Sequence, residues 1–410
     1  MRVLVVTQYF YPETFRVNNL CAELVSRGHQ VEVLTGYPQY PQGKIYEGYG
    51  FHIPYEKEWN GIKIHRVKMR PRGKTPFGLL WNCYSFVREG NRWVKKCRKK
   101  FDAVYVFEVS PVTVGLPALT YKKKFGTPIY FHLQDLWPEN VEHILGIKNK
   151  WVLKGIDKIV DKIYDGCDKI LCTSKSFVRN LLERGVPEEK LEFWPQFCEK
   201  PDTTTEKPDC YSENEVNIVF AGNMGEAQGL ELLLESAAEM KDAPVRWYLV
   251  GDGRARERLK KKAKELGVLD KVSFVGRVSE EGANRYVRFA DCAWLSFMDN
   301  VIFDMTIPAK LQTYLACGTP ILAAAGGESA ELIRNCGCGV VTEKTPKAVT
   351  QGVETLLAMS LDEKNEMRNR CRQTFEDSFT KEKLVDQLED MMGELGGRRL
   401  ESTTNQLGLR

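Results

Sequence analysis

The chain lacks any apolar run of the roughly 18 or more residues needed to cross a bilayer, so no membrane-spanning helix is expected. Its opening, MRVLVVTQYFYPE, is too short an apolar stretch for a secretory signal and reads as a buried strand, which leads us to expect a cytoplasmic protein. There is no Cys-x-x-Cys pair and no cysteine–histidine cluster with zinc spacing, so no metal site is expected. The 12 cysteines, Cys21, Cys172, Cys292 and Cys317 among them, mostly sit in apolar stretches and read as small core residues in a reducing compartment. Cys336–Cys338, CGC, reads as a glycine turn. Histidine is scarce, with five residues, all in the first half. No strand is followed by the G-x-G-x-x-G spacing of a dinucleotide site, and no P-loop pattern occurs. No nucleic-acid partner is expected.

What is present is an ordinary globular composition, 43% hydrophobic and 28% charged over 410 residues, enough for two domains with real cores. The net charge of +4 is unevenly spread: residues 1–200 carry +11 and the remainder −7. A basic half joined to an acidic half suggests different partners for each. RVLVVTQYF, then RVNNLCAELVSRGH at helical spacing, then QVEVLTG make a β-α-β opening, which implies a parallel sheet. Similar strands recur at DAVYVFEVS, PIYFHLQDL and KILCTS. A second series starts at VNIVFAG and runs through VRWYLVGDG, KVSFVG, ADCAWLS and TPILAAAGG. The fold class expected is α/β, two Rossmann-like doubly wound domains facing a cleft. The boundaries read as residues 1–198, a polar linker over 199–215, a second domain over 216–375, a C-terminal helix over 376–395 and a disordered tail over 396–410.

Three strand-to-helix turns carry glycine: GNMGEAQG with Gly222 and Gly225, LVGDG with Gly251, and AAAGGESAELI with Glu328 and Glu331. Glycines there let backbone N–H groups approach an anion closely. In DMTIPAKLQTYLACGTPIL, Pro308 suits the first helical position and Gly318 and Pro320 end the helix. Lys310 then falls in the first turn, where the helix dipole disfavours a cation by about 0.3–1 kcal/mol unless an anion or solvent answers it.

Taken in order, YFYPETFRVNNLCAELVSRGHQVEVLTGYPQYPQGKIY, HLQDLWPENV, GNMGEAQGLELLLESA, LVGDG, FVG, IPAKLQTYLACGTPIL and GGESAELI resemble the glycosyltransferases of the GT-B fold in family 4. The likeness is greatest to the bacterial branch that builds surface polysaccharides, fucosamine transferases included. The resemblance implies retaining transfer of a sugar from a nucleotide-diphosphate donor, UDP-linked, without a metal or separate cofactor. It implies that the second domain holds the nucleotide and the first the acceptor, a polyprenyl-diphosphate-linked saccharide. A late helix, KLVDQLEDMMGEL, would cross back to the first domain. Three departures stand out. Asn223 and Gln228 occupy places where many members have Arg and Lys that grip the diphosphate. Met305 and Thr313 stand in place of a Glu-x7-Glu pair. The first loop reads PETFRVNN instead of carrying Gly-Gly. With those cations absent, Lys310 becomes the candidate partner of the diphosphate, beside Gly222, Asn223, Gly225, Gln228, Gly251, Glu328 and Glu331 in the nucleotide-sugar site.

In the first domain FHLQDLWPENV sets His132, Asp135 and Glu139 at a strand end, as candidate catalytic residues. Arg16, in the first loop, is a candidate for an acceptor or phosphate contact. The segment RPRGKTPFGLLWNCYSFVREGNRWVKKCRKKF mixes basic residues with Phe77, Leu79, Leu80 and Trp81, which leads us to expect peripheral contact with anionic lipid on the inner face of the cell membrane. Two other readings share these features: a nucleotide-sugar 2-epimerase, and a non-catalytic nucleotide-sugar-binding protein.

Overall fold

Val3, Leu4, Val5 and Val6 are at most 1% exposed, so the first strand is covered on both faces, as the continuous apolar run RVLVV requires of a central parallel strand. The computed structural model describes residues 1–407 apart from 74, 110, 144–146, 148 and 203–205; of residues 76, 143 and 396–407 only the backbone is described. The chain divides into two units, Met1–Trp194 with Glu382–Arg410, and Pro195–Lys381.

In chain order the first unit holds β1 (Arg2–Val6), α1 (Arg16–Ser26), β2 (Gln30–Thr35), β3 (Glu58–Trp59), β4 (Ile62–Arg66), α2 (Pro76–Lys96) and β5 (Ala103–Glu108). It continues with α3 (Gly115–Phe125), β6 (Ile129–Leu133), α4 (Glu139–His143), α5 (Lys150–Gly166), β7 (Lys169–Cys172), α6 (Lys175–Glu183) and β8 (Leu191–Phe193). The sheet order is β3-β4-β2-β1-β5-β6-β7-β8, parallel except for the short β3 hairpin strand. Helix α2 starts where the sequence supplies both signals, Pro76 in the first turn and Thr75 as cap, its hydroxyl accepting from the Gly78 N–H at 3.1 Å.

The second unit holds β9 (Val216–Ala221), α7 (Glu231–Glu239), β10 (Val245–Val250), α8 (Arg256–Glu265), β11 (Val272–Gly276), α9 (Glu280–Phe289) and β12 (Cys292–Ser296). After these come α10 (Val301–Asp304), α11 (Ala309–Ala316), β13 (Ile321–Ala324), α12 (Gly327–Cys336), β14 (Gly339–Val341), α13 (Pro346–Ala358) and α14 (Leu361–Ser378). Its six strands are ordered β11-β10-β9-β12-β13-β14 and all pair in parallel. Two buried tryptophans, Trp247 and Trp294, meet edge to face at 5.8 Å in its core. Both units are doubly wound α/β, as the strand pattern implies.

Three details differ from the reading of the sequence. Pro308 is the cap of α11 and not its first residue: its ψ of 148° is extended, so Ala309 opens the helix and Lys310 is second. The polar stretch 199–215 is laid on the second unit where it is described. Tyr211 is buried against Tyr248 at 4.6 Å, and the Tyr248 hydroxyl donates to the Cys210 carbonyl at 2.8 Å. The last helix, α15 (Lys381–Leu407), starts later and runs further than the expected 376–395, and from Glu382 onward it belongs to the first unit, where the late helix was expected. Leu384, Leu388 and Met392 are buried, the Trp194 indole donates to the Leu384 carbonyl at 2.8 Å, and the Tyr130 hydroxyl to the Met391 carbonyl at 2.9 Å. The tail expected from residue 396 begins inside the backbone of this helix, and residues 408–410 lie outside the described residues. At CGC, Gly337 takes φ 60° and closes α12.

Candidate functional site

In the second unit the turns after β9, β10 and β11 are stacked backbone against backbone. The Gly222 N–H donates to the Val250 carbonyl at 2.9 Å, and the Gly251 N–H to the Gly276 carbonyl at 2.8 Å. Gly251 has φ 129°, and a Cβ there would lie 2.0 Å from the Gly222 carbonyl oxygen, so only glycine fits. The turns leave a cavity of about 500 Å³ whose lining includes Asn223, Gly251, Asp252, Arg277, Ser279 and Glu280. Ser279 caps α9, accepting from the Gly282 N–H at 3.0 Å. Such a set of strand ends, glycine turns and a helix N-terminus suits an anionic, hydroxyl-bearing ligand.

Lys310 approaches the Gly222 turn from α11. Its ammonium donates to the Gln228 side-chain oxygen and lies 4.4 Å from the centre of the Phe220 ring and 5.6 Å from that of Phe297. A Cβ built on Gly222 would be 4.0 Å from the Lys310 Nζ. Desolvation holds the ammonium well below the usual lysine value, at about 7, and no carboxylate among the described residues offsets this. The structure therefore brings Gly222, Gln228 and Lys310 together, with Gly251 packed on Gly222 and Asn223 on the cavity wall. Gly225 opens the short turn Glu226–Gln228. Glu328 is buried in the first turn of α12, while Glu331 on the same helix is exposed. Gly327, at φ 55°, brings that helix so near α10 that a Cβ would meet the Asp304 carbonyl at 1.9 Å. The sequence reading missed Arg277, Ser279 and Glu280. The signal was there in FVGRVSEE, a glycine-ended strand followed by a serine cap and two acids.

In the first unit the candidates cluster at the carboxyl ends of β5, β6 and β7. His132 is buried, its Nδ1 2.6 Å from the Tyr105 hydroxyl and its ring 4.6 Å from Trp194. Burial pulls its imidazole down to about 3, with the Arg16 charge adding a smaller push in the same direction, so it stays neutral at physiological pH. Asp135 lies in the turn after β6, where its N–H donates to Glu108 Oε2 at 3.0 Å. Glu139 opens α4 and accepts from the Asn180 side chain at 3.3 Å. Glu108, missed in the sequence, is fully buried. Desolvation raises its carboxyl well above the ordinary range, and Asp135 adds to the effect. Arg16 opens α1. Among the described residues no three His, Cys, Asp or Glu side chains are placed to hold a metal ion, and no helix is long and apolar enough to cross a membrane.

Comparison with known proteins bears on this arrangement. Residues 14–196 match the family described as "Glycosyl transferase 4-like domain", and residues 215–359 match "Glycosyl transferases group 1". A curated relative, the putative colanic acid biosynthesis glycosyl transferase WcaI of Escherichia coli K12, is 25% identical over 340 residues, covering 78% of this chain and 82% of WcaI. Among solved structures, HepE of Anabaena in complex with UDP superposes with a TM-score of 0.69 at 12% identity, covering 96% of this chain and all of that one. WaaG, a glycosyltransferase involved in lipopolysaccharide biosynthesis, gives 0.64 at 14% identity over 96% of this chain and 99% of its own. With both halves of the chain matched and the two doubly wound units in place, this protein belongs to the glycosyltransferases of the GT-B fold, with a 4-like amino-terminal domain and a group 1 carboxyl-terminal domain.

Proposed function

We propose that this enzyme moves a hexosyl- or N-acetylhexosaminyl-type sugar from a UDP-linked donor to a polyprenyl-diphosphate-linked saccharide in surface-polysaccharide synthesis, with retention at the anomeric carbon. The observation that carries the donor half is Lys310: a partly buried ammonium with no carboxylate beside it among the described residues, held next to the Gly222 turn, suits an incoming anion. The names of WcaI, colanic acid biosynthesis, and WaaG, lipopolysaccharide biosynthesis, support a role in surface-polysaccharide synthesis. HepE, which binds UDP, supports the nucleotide.

In the reaction the bond between the anomeric carbon and the diphosphate oxygen breaks, and the acceptor hydroxyl forms its bond on the same face. The hydroxyl proton leaves with the departing diphosphate. Lys310 and the N–H groups of the glycine turns neutralise the charge that grows on that leaving group, so catalysis is chiefly positioning and electrostatic stabilisation. Asp135, Glu139 and Arg16 orient the acceptor, and the neutral His132 holds the strand end by its bond to Tyr105. The basic face around α2 brings the enzyme to anionic lipid on the inner side of the membrane.

A donor screen by mass spectrometry, with membrane lipid extract as acceptor, tests the reading. One added sugar mass on a lipid-linked product is expected. Conversion of the free nucleotide sugar with no acceptor would point instead to an epimerase, and donor binding without turnover to a binding protein.

A further inference from the structure

In the second unit Cys336, Cys338 and Cys371 come together where α12 ends, β14 begins and α14 packs against both, and all three are thiols. Cys338 and Cys371 are 1% and 0% exposed, whereas Cys336 is half-buried. The sequence CGC gathers two of them: Gly337, at φ 60°, closes α12, and its neighbours flank the bend into β14. Arg370 Nε donates to the Gly337 carbonyl at 2.8 Å and holds α14 against that bend. Cys371, next on the helix, directs its thiol at the Cys338 carbonyl, 3.4 Å away, and at the Thr319 carbonyl, 3.5 Å away. Cys338 Sγ lies 3.3 Å from the Thr374 hydroxyl, one turn further along α14, and 3.7 Å from the Cys336 carbonyl.

A single buried cysteine is an inert core residue. Here three share one place beside a guanidinium, and their surroundings make them unequal. The Cys371 thiol, the Thr374 hydroxyl, the Arg370 charge and Cys336 together outweigh burial and lower Cys338 below the usual thiol value. Cys371, the donor to that sulfur, is raised. A sulfur that ionises readily, a second thiol against its backbone to resolve it and a third toward solvent make a site for thiol–disulfide exchange.

We infer that Cys338 and Cys371 form a reversible disulfide, entered through Cys336, by exchange with a low-molecular-weight disulfide. The Cys336 sulfur attacks one sulfur of the small disulfide. That S–S bond breaks, the first small thiol leaves with the Cys336 proton, and Cys336 holds a mixed disulfide. Cys338 then attacks the Cys336 sulfur and expels the second small thiol, which takes the Cys338 proton. The Cys336–Cys338 bond spans a single residue and is strained. Cys371 attacks its Cys338 sulfur and passes its own proton to the departing Cys336. Two protein thiols have lost two electrons and two protons, and one small disulfide has become two thiols. In a reducing compartment the bond lasts only while the small disulfide is in excess. It ties the bend after α12 to α14, at the opposite end of α12 from Glu328.

The test is incubation of the native full chain with glutathione disulfide, followed by acid quenching, alkylation and peptide mass spectrometry without reduction. Two of the 12 thiols should escape alkylation, in one linked pair of peptides bearing Cys338 and Cys371, and dithiothreitol should restore both. Cys336→Ser should slow formation of the pair by about tenfold or more, since the buried sulfurs then lack their accessible entry. Cys371→Ser should stop at a Cys336–Cys338 disulfide or a glutathione adduct on Cys336. The wild-type linkage map needs no variant and so stands apart from any folding defect. A linked pair made of other cysteines, or one that appears only in urea, overturns the assignment. Oxidation of Cys336→Ser at the wild-type rate overturns the entry role.

Discussion

The Lys310 ammonium donates to the side-chain oxygen of Gln228, across 82 positions of sequence. Gln228 occupies the place where the family resemblance leads one to expect a lysine. The cation at this turn is thus supplied by another element: α11 delivers it, and an amide that cannot compete for the proton receives it. The arrangement keeps one amine near the Gly222 turn, protonated below about pH 7 in the free protein. On the proposed function, an incoming diphosphate would answer both the helix dipole and the desolvation of this cation.

Lys310→Ala should weaken UDP far more than uridine. A charge-assisted contact contributes about 1.5–3 kcal/mol, so the loss should be tenfold to a hundredfold for UDP and small for the nucleoside. The unliganded fold should survive, since removing a cation from a helix N-terminus relieves an unfavourable dipole interaction. Calorimetric titration of both ligands, with the unliganded melting temperature, checks this. Equal UDP affinity in the two proteins would remove Lys310 from the phosphate site.

A proton should be taken up when UDP binds. Burial lowers the Lys310 value to about 7, so a large share of the free enzyme is neutral there at pH 7.5, and a bound diphosphate restores the charge. Titrations in buffers of different ionisation enthalpy should show net uptake near pH 7.5–8 that vanishes in Lys310→Met. The same depression has a sign in stability. Between about pH 7 and the unfolded value near 10.5 the unfolded chain binds the extra proton, so this group's contribution makes the unliganded protein more stable as pH rises through that window.

Gly251→Ala tests the stacked turns. The added Cβ would sit 2.0 Å from the Gly222 carbonyl oxygen, at a φ of 129° that alanine rarely adopts. Strain of about 1–3 kcal/mol is expected from the backbone alone, and the β9 and β10 turns would have to part. UDP affinity and melting temperature should fall together, as a paired titration and thermal scan would show. A variant that binds UDP normally would mean that the two turns move apart without consequence for the nucleotide.

The backbone of both units was legible because parallel strands buried on both faces read as apolar runs, as at Val3–Val6 and Ile218–Phe220. Residues whose role depends on distant partners were not. Lys310 could be singled out from its helix position, but Phe220 and Phe297 beneath it could not, because nothing in their own neighbourhoods marks them. Glu108 and Glu13 sit in VFEVS and YPETF and look like ordinary acids. Their burial comes from loops that close over them from residues 134–135 and 39–40. Exposed Phe77 and Trp81 were visible as apolar residues in a basic segment. Asn82, fully buried on the same helix, drew no notice, because a lone asparagine on a helix carries no periodic signal.

Glu13 should make stability fall with pH near neutrality. It is 3% exposed and binds two loops at once: Oε1 accepts from Gln39 N–H at 2.8 Å and Tyr40 N–H at 2.7 Å, and Oε2 from Phe10 N–H at 3.3 Å. Desolvation outweighs those three donors and the Arg66 charge, and raises its carboxyl to about 7. A raised acid favours folding while it is protonated. Its contribution is complete below the unfolded value near 4.5 and is lost as pH climbs through about 7. Glu13→Gln removes this dependence. The amide oxygen can keep the Gln39 and Tyr40 contacts, but the amide nitrogen confronts the Phe10 N–H, which costs about 1 kcal/mol. The variant should therefore be less stable than wild type at pH 5, and the gap should narrow by pH 8. Urea melts of both proteins at the two pH values measure it. A gap that widened with pH would mean that Glu13 is ionised in the native loops and that its charge, held by Arg66 and the three N–H groups, is what fastens them.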